Sequence, residues 1–342
     1  MNPASMNPSH RTPAMPTSRP ATAASPERPR GFARRDFLGL SGTTLLGGLA
    51  LPGLVLARTT PAGSDQAAPV YEPHRGQPGK DVIWIPSPDK LVHRMLSMAQ
   101  LKPSDYLIDL GSGDGKIVIA AARDFGTSGL GIEYNPDMVG HAQRNAQAAG
   151  VADRARFEKA DIFESDFSRA SVITMYLLPH LNMRLRHRLM ALKPGTRIVS
   201  HEFRLGDWTA DETSRINGAS VHLWLVPGNF GGEWTLRFPQ RKGPAMATLD
   251  VEQTFQNFRG RVVFEDFETT FREPKVAGDR VRFAFTDEDG RLRRFKGRLD
   301  GGSLTGTVHD GEQSVPFTAT RNGNARVVGG STPVTESDVF NN

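Results

Sequence analysis

The stretch Leu107-Ile108-Asp109-Leu110-Gly111-Ser112-Gly113-Asp114-Gly115 holds more structural information than any other in this chain. A short apolar run breaks into three glycines at alternate positions, and an amphipathic segment, 116–123, follows. That order predicts a strand, a tight turn and a helix. Glycines tolerate positive φ and let a ligand lie directly on the backbone at a helix N-terminus. The turn is therefore expected to cradle a nucleotide-like group.

The spacing narrows the choice of group. Pyrophosphate-binding dinucleotide sites use G-x-G-x-x-G, whereas the spacing here is G-x-G-x-G. Asp109 and Asp114 would repel an anion and favour a cation. A second strand, 129–132, ends at Glu133, where a carboxylate can accept both hydroxyls of a ribose. A third, 156–160, runs into Asp161 and Ile162, and Asp161 is placed to accept from an adenine amino group. Three acids at three successive strand ends suit a positively charged, phosphate-free adenosine compound. S-adenosylmethionine, with its sulfonium and ammonium, is such a compound. A nicotinamide dinucleotide fits the spacing poorly. The bland alternative is a glycine turn beside ordinary surface acids.

The chain here resembles the class I, seven-stranded S-adenosylmethionine-dependent methyltransferases, and most of all bacterial relatives of the mitochondrial protein-lysine methyltransferases. The resemblance rests on Trp84-Ile85-Pro86-Ser87-Pro88, on 109–122, on Gly131-Ile132-Glu133-Tyr134-Asn135-Pro136 and on Ala160-Asp161-Ile162. It covers roughly residues 82 to 240. It implies an α/β fold with a doubly wound, Rossmann-like methyltransferase sheet. It also implies a cofactor site formed by Asp109, Gly111, Ser112, Gly113, Asp114, Gly115, Glu133, Asp161 and Ile162.

Residues 1–33 are rich in Pro, Ser, Ala and Thr without periodicity, a composition of disordered chain. Arg34-Arg35-Asp36-Phe37-Leu38 then precedes a Gly-rich, weakly apolar run to Ala57. Paired arginines before such a run resemble a twin-arginine export signal, with cleavage expected after Val55-Leu56-Ala57. This implies the twin-arginine export machinery as a partner and the periplasm or cell envelope as the destination. A signal-anchored membrane form is the alternative, although the glycines and proline of the run lower its helix propensity. The absence of cysteine among 342 residues excludes disulfides and thiolate metal sites. The formal net charge is +5, part of it in the signal region. The remaining basic runs, 237–242 and 291–298, read as solvated strand or linker faces, and no nucleic-acid partner is expected.

The expected organisation is a signal region, 1–57; a Pro/Gly-rich linker, 58–80; a methyltransferase domain, 81–240; a small antiparallel all-β domain, 244–322; and a disordered tail, 323–342. In the methyltransferase domain, Ser87 is expected to cap a helix with Pro88 at its first position. Asn135-Pro136 opens another helix, which Gly150 ends. Residues 172–177 form a doubly buried central strand, 182–192 a helix and 196–201 the fifth strand. Segments 221–226 and 233–238 are read as the hairpin that completes the sheet. Beyond 247 helix signals vanish. Short alternating strands and turns such as Asp287-Glu288-Asp289-Gly290 predict a meander of about six or seven strands, either a small barrel or a packed sheet.

Methyl transfer from a sulfonium is an in-line displacement, and position and electrostatics are what a protein adds to it. A lysine acceptor must also lose a proton, which from a pKa near 10.4 costs about 4–5 kcal/mol at pH 7. Candidates for this chemistry follow the fourth and fifth strands: Tyr176 and His180 after the fourth, His201, Glu202 and Phe203 after the fifth, with Trp208 as a possible aromatic wall. His180, Glu202 and Trp208 each have a bland counterpart, a packed or surface histidine, a strand-end acid or a core tryptophan. Many amino-directed relatives carry Asp or Asn, two prolines and an aromatic residue after strand four, and Tyr176-Leu177-Leu178-Pro179 departs from that pattern. The acceptor is expected to be a protein amino group or a small molecule. A non-catalytic exported protein that binds S-adenosylmethionine or its demethylated product is the competing reading.

Overall fold

The computed structural model describes residues 70–240 and 243–334, so the export-signal region and residues 335–342 lie outside the described residues. Both sheets below belong to one unit spanning 67–342.

The first sheet holds β1 (Tyr106–Leu110), β2 (Ser128–Glu133), β3 (Ala155–Lys159), β4 (Val172–Met175), β5 (Arg197–His201), β6 (Glu212–Ile216) and β7 (Ala219–Leu225). Their order is β3-β2-β1-β4-β5-β7-β6. The first five strands run parallel, and β7 is antiparallel to both β5 and β6. Central strands of such a sheet are buried on both faces and therefore apolar without alternation. β4, Val-Ile-Thr-Met, is buried at every position.

Side chains one apart point to opposite faces. Leu107, Val172 and Val199 pack with α1 (Asp89–Met98), α2 (Lys116–Phe125) and α3 (Pro136–Ala148). Ile108, Ile173 and Ile198 pack on the other face with Leu181, Leu185 and Leu189 of α4 (Pro179–Met190). The Oδ1 of Asn135 accepts from the amides of Asp137 and Met138, which caps α3 as the sequence predicts.

The second sheet is wholly antiparallel. It contains β8 (Gly232–Gln240), β9 (Gly243–Thr254), β10 (Asn257–Val263), β11 (Glu268–Thr270), β12 (Arg272–Ala277), β13 (Arg280–Thr286), β14 (Leu292–Asp300), β15 (Ser303–His309) and β16 (Ser314–Asn322). Its order, β11-β10-β9-β8-β16-β15-β14-β13-β12, curls until β10 approaches β12, a nearly closed barrel. Its interior is aromatic: Phe283 stacks on Phe295 at 4.7 Å, and Phe317 meets Phe295 edge-on. One buried ion pair interrupts this core. Arg293 Nε donates to Asp287 Oδ2 at 2.7 Å, with both side chains sealed from solvent.

The two sheets meet through Trp208, fully buried and stacked on Phe255 at 5.7 Å. Lys275 pairs with Asp211 at 2.9 Å across the same junction, and the Gly228 amide donates to the Gly278 carbonyl.

Several expectations are corrected. The expected closing hairpin does not form. Residues 219–225 pair with β5 and β6, while Gly232–Gln240 joins the second sheet beside β9 and β16. The first sheet thus ends near 225 rather than 240, and the second has nine strands. The Pro227-Gly228 break resembles a hairpin turn because apolar strands on either side of a turn word carry no mark of which sheet they join. Ser87 does not cap α1: Pro88 is the cap residue, with no side-chain bond. α4 begins at Pro179 rather than 182, because proline is pre-organised for a first helical turn. Residues 70–80 and 323–334, expected as linker and tail, are both bonded into the fold. Gly76 donates to Trp84 O, and Arg326 Nη1 pairs with Asp250 at 2.6 Å.

Candidate active site

A cavity of about 260 Å³ opens at the carboxyl ends of β1, β2 and β4, where open α/β sheets bind ligands. The glycine turn forms its floor. Gly113 has φ +52 and Gly115 φ +80, conformations L side chains rarely adopt. The amides of Gly111 and Ser112 both donate to Ile132 O, tying the turn to β2.

Glu133 is held by the turn itself. Its Oε2 accepts from the Gly113 amide at 3.0 Å and its Oε1 from the Asn135 amide at 2.9 Å. Its remaining lone pairs are left for a ligand. Asp109 is 2 % exposed and accepts from Thr174 Oγ1 at 2.7 Å. Burial pushes its carboxyl up to about 7, and the like charges of Asp114 and Glu133 push the same way. Asp161 closes the far side. Lys80 Nζ lies 2.5 Å from its Oδ2 and the Phe163 amide donates to its Oδ1, and Lys80 first of all holds this carboxyl below its usual range.

Asp109, Gly111, Ser112, Gly113, Asp114, Glu133, Asp161 and Ile162 all line the cavity. Gly115 does not. A Cβ there would lie 2.6 Å from Phe157 Cζ, so its place is a packing one beneath the turn.

Tyr176 also lines the cavity, its ring stacked on His201 at 3.7 Å. Burial raises its phenol above the ordinary value, as does the charge of Glu202. The phenol stays protonated at neutral pH, and its ring forms a flat part of the cavity lining. His180, on the first turn of α4, and Glu202 do not line the cavity. Glu202 sits at φ +65, with Oε2 accepting from the Ser220 amide, and so braces β7. Trp208 is core, not wall.

Sequence reasoning places His201 among the candidates past the fifth strand but does not show its pairing with Ser87. Ser87, 7 % exposed and lining the cavity, has its Oγ 2.9 Å from Nδ1 of His201, itself 4 % exposed. Burial holds the His201 imidazole below its ordinary value, with Glu202 opposing. Because Ser87 does not cap α1, its hydroxyl is free for this partner, which the local sequence before Pro-Asp does not reveal.

The residues fit S-adenosylmethionine. The buried Ser112 Oγ has no partner, Glu133 keeps free lone pairs, and clustered carboxylates repel one another until a cation joins them.

The chain is similar to known methyltransferases. Residues 109–212 match the ANTKMT methyltransferase domain family. A protein-lysine N-methyltransferase of Saccharolobus islandicus is 40% identical over 162 residues, 46% of this chain and 96% of that protein. The adenine nucleotide translocase lysine N-methyltransferase of Mus musculus is 30% identical over 147 residues, 41% of this chain and 64% of that protein. Among solved structures, an RNA methyltransferase of Salinibacter ruber in complex with S-adenosyl-L-homocysteine is 49% identical, with a TM-score of 0.41 over 42% of this chain and 94% of that one. The chain belongs to the S-adenosylmethionine-dependent methyltransferases, in the family that contains the protein-lysine N-methyltransferases.

Proposed function

We infer that this protein transfers a methyl group to lysine amino groups of a protein after twin-arginine export to the periplasm or cell envelope. The observation that carries the acceptor reading is the wall of Tyr176 and Ser87, both backed by the buried His201, on a cavity floored by Asp109 and Glu133. The 40% identical lysine methyltransferase supports it. The export reading rests on Arg34-Arg35-Asp36-Phe37-Leu38 and the run that follows.

In this reading Glu133 accepts the ribose hydroxyls, Asp161 the adenine amino group, and Asp109 and Asp114 balance the positive charge. Bound S-adenosylmethionine supplies an electrophilic methyl carbon whose bond to sulfur breaks as the nitrogen lone pair attacks. Tyr176 lays its ring against the incoming amine and excludes water. Desolvation beside that ring lowers the pKa of the ammonium. Ser87 Oγ then takes the departing proton while His201 Nδ1 accepts from the hydroxyl.

The test supplies methyl-labelled S-adenosylmethionine and an envelope extract to the purified protein. Label on lysine in a discrete protein band is the expected result. Label moving into an organic-soluble fraction would replace the protein acceptor with a small molecule. Cofactor binding without any transfer would leave a binding protein.

A further inference from the structure

The outer face of the second sheet carries a charge pattern that the methyltransferase site does not use. A cleft of about 620 Å³ is walled by Lys275, Arg280, Arg282, Lys296 and Arg298 on three adjacent strands. Thr305 and Thr307 of β15 point to the same face, exposed, and add hydroxyls to its lining.

The cations are registered against one another. Lys275 lies directly opposite Arg282, Arg282 opposite Lys296, and Arg280 opposite Arg298. Like charges directly opposite in a sheet are destabilising. The other half of the same sheet follows the favourable pattern: Arg259 lies opposite Glu252 at 3.0 Å and Arg261 opposite Asp250 at 3.5 Å. In the cleft only Lys275 and Arg298 have carboxylates, Asp211 and Asp279. Arg280, Arg282 and Lys296 have no ion-pair partner among the described residues. An anion seated between the rows would relieve the repulsion, and the threonine hydroxyls would bond its oxygens.

The cleft also lies away from the cavity. Lys275 reaches Asp211, and Gly278, at the end of the same strand pair, abuts Gly195, just before the amino end of β5. The cavity opens at the carboxyl ends of the parallel strands. A ligand in the cleft thus leaves the methyl-transfer site open.

We propose that the outer face of β12 to β15 is a binding site for a compact polyanion that presents two or more closely spaced phosphate groups. The proposal is independent of the methyl acceptor.

The test titrates tripolyphosphate into the full chain by calorimetry and, in parallel, sediments the protein with phosphatidylcholine vesicles containing phosphatidylglycerol. Saturable tripolyphosphate binding, weakened about tenfold or more by Arg282→Glu, supports a soluble polyphosphate. Vesicle binding alone, lost in the same variant, supports clustered lipid headgroups as the source. Arg282→Glu places a carboxylate between Lys275 and Lys296, so its Tm is expected to stay level or rise, which separates lost binding from lost fold. Arg215→Glu, on the exposed edge strand of the first sheet, changes net charge equally and is expected to leave binding unchanged. The proposal is overturned if neither probe binds or if the two variants weaken binding alike.

Discussion

Asp109→Asn removes one charge from the most buried carboxylate of the cavity while keeping its shape and the acceptor for Thr174 Oγ1. In the folded chain this carboxyl titrates at about 7, against an ordinary 3.8, because burial penalises its charged form. Between those values the folded protein holds a proton that the unfolded chain has released, so stability must fall as pH rises from 4 to 7 and then level off. The full span corresponds to roughly 4 kcal/mol. For a chain of this size, about 2–4 °C of Tm accompanies each kcal/mol. The variant lacks this titration, and other groups cancel when the two proteins are compared at one pH. The advantage of Asp109→Asn over the parent should therefore grow between pH 5 and pH 8, by up to about 10 °C. Scanning calorimetry across that range reads it directly. S-adenosylmethionine should close the gap, because a cation beside the ionised carboxylate stabilises the parent and does little for the variant. A Tm difference that stays constant with pH would refute the assignment of a buried, proton-holding Asp109.

Three further outcomes follow from contacts already described. Glu133→Gln leaves the Gly113 and Asn135 amides without a charged acceptor and removes the anion facing the ribose. Calorimetry should show cofactor binding weakened about ten- to a hundredfold, and unchanged affinity would sink the role given to Glu133. Gly115→Ala puts a methyl 2.9 Å from Ala142 Cβ and closer still to the Phe157 ring, at a strained φ. Urea unfolding should show a loss of about 1–3 kcal/mol, and an unshifted midpoint would contradict the packing described. Asp287→Ala removes the nearer of the two carboxylates on the buried Arg293, leaving Asp310 at 3.2 Å, and denaturant titration should register a loss of about 2–3 kcal/mol; a near-neutral result would mean Asp310 and water satisfy the guanidinium alone.

The cofactor half of the site was legible in the sequence because its residues are local. Gly111, Gly113 and Gly115 share one turn, and Asp109, Glu133 and Asp161 each sit at or just past the end of a recognisable strand. Strand order in a doubly wound sheet then brings those ends together. The acceptor half was not legible in the same way. Ser87 and His201 are 114 positions apart and meet only through packing of the lead-in segment on β5. Nothing near Ser87 distinguishes a cap from a cavity wall, so the local rule predicts a cap. Asp161 shows the same limit from another side, since its pairing with Lys80 spans 81 positions. The boundary between the two sheets was misplaced for a related reason. Residues 219–225 and 232–240 are both apolar strands, and only long-range register assigns the first to β5 and the second to β16. The alternation of Val281, Phe283 and Phe285 was readable as one buried face, but the count of strands was not, because short edge strands such as β11 carry little apolar pattern.

The most direct measurement is calorimetric titration of the protein with S-adenosylmethionine, S-adenosylhomocysteine and NAD in parallel, beside Glu133→Gln. The carboxylates at the ends of β1 and β2 and just beyond β3 predict saturable binding of the first two, weakened in the variant, and none of NAD. Binding of NAD, or equal affinity of parent and variant for S-adenosylmethionine, would contradict the site as assigned.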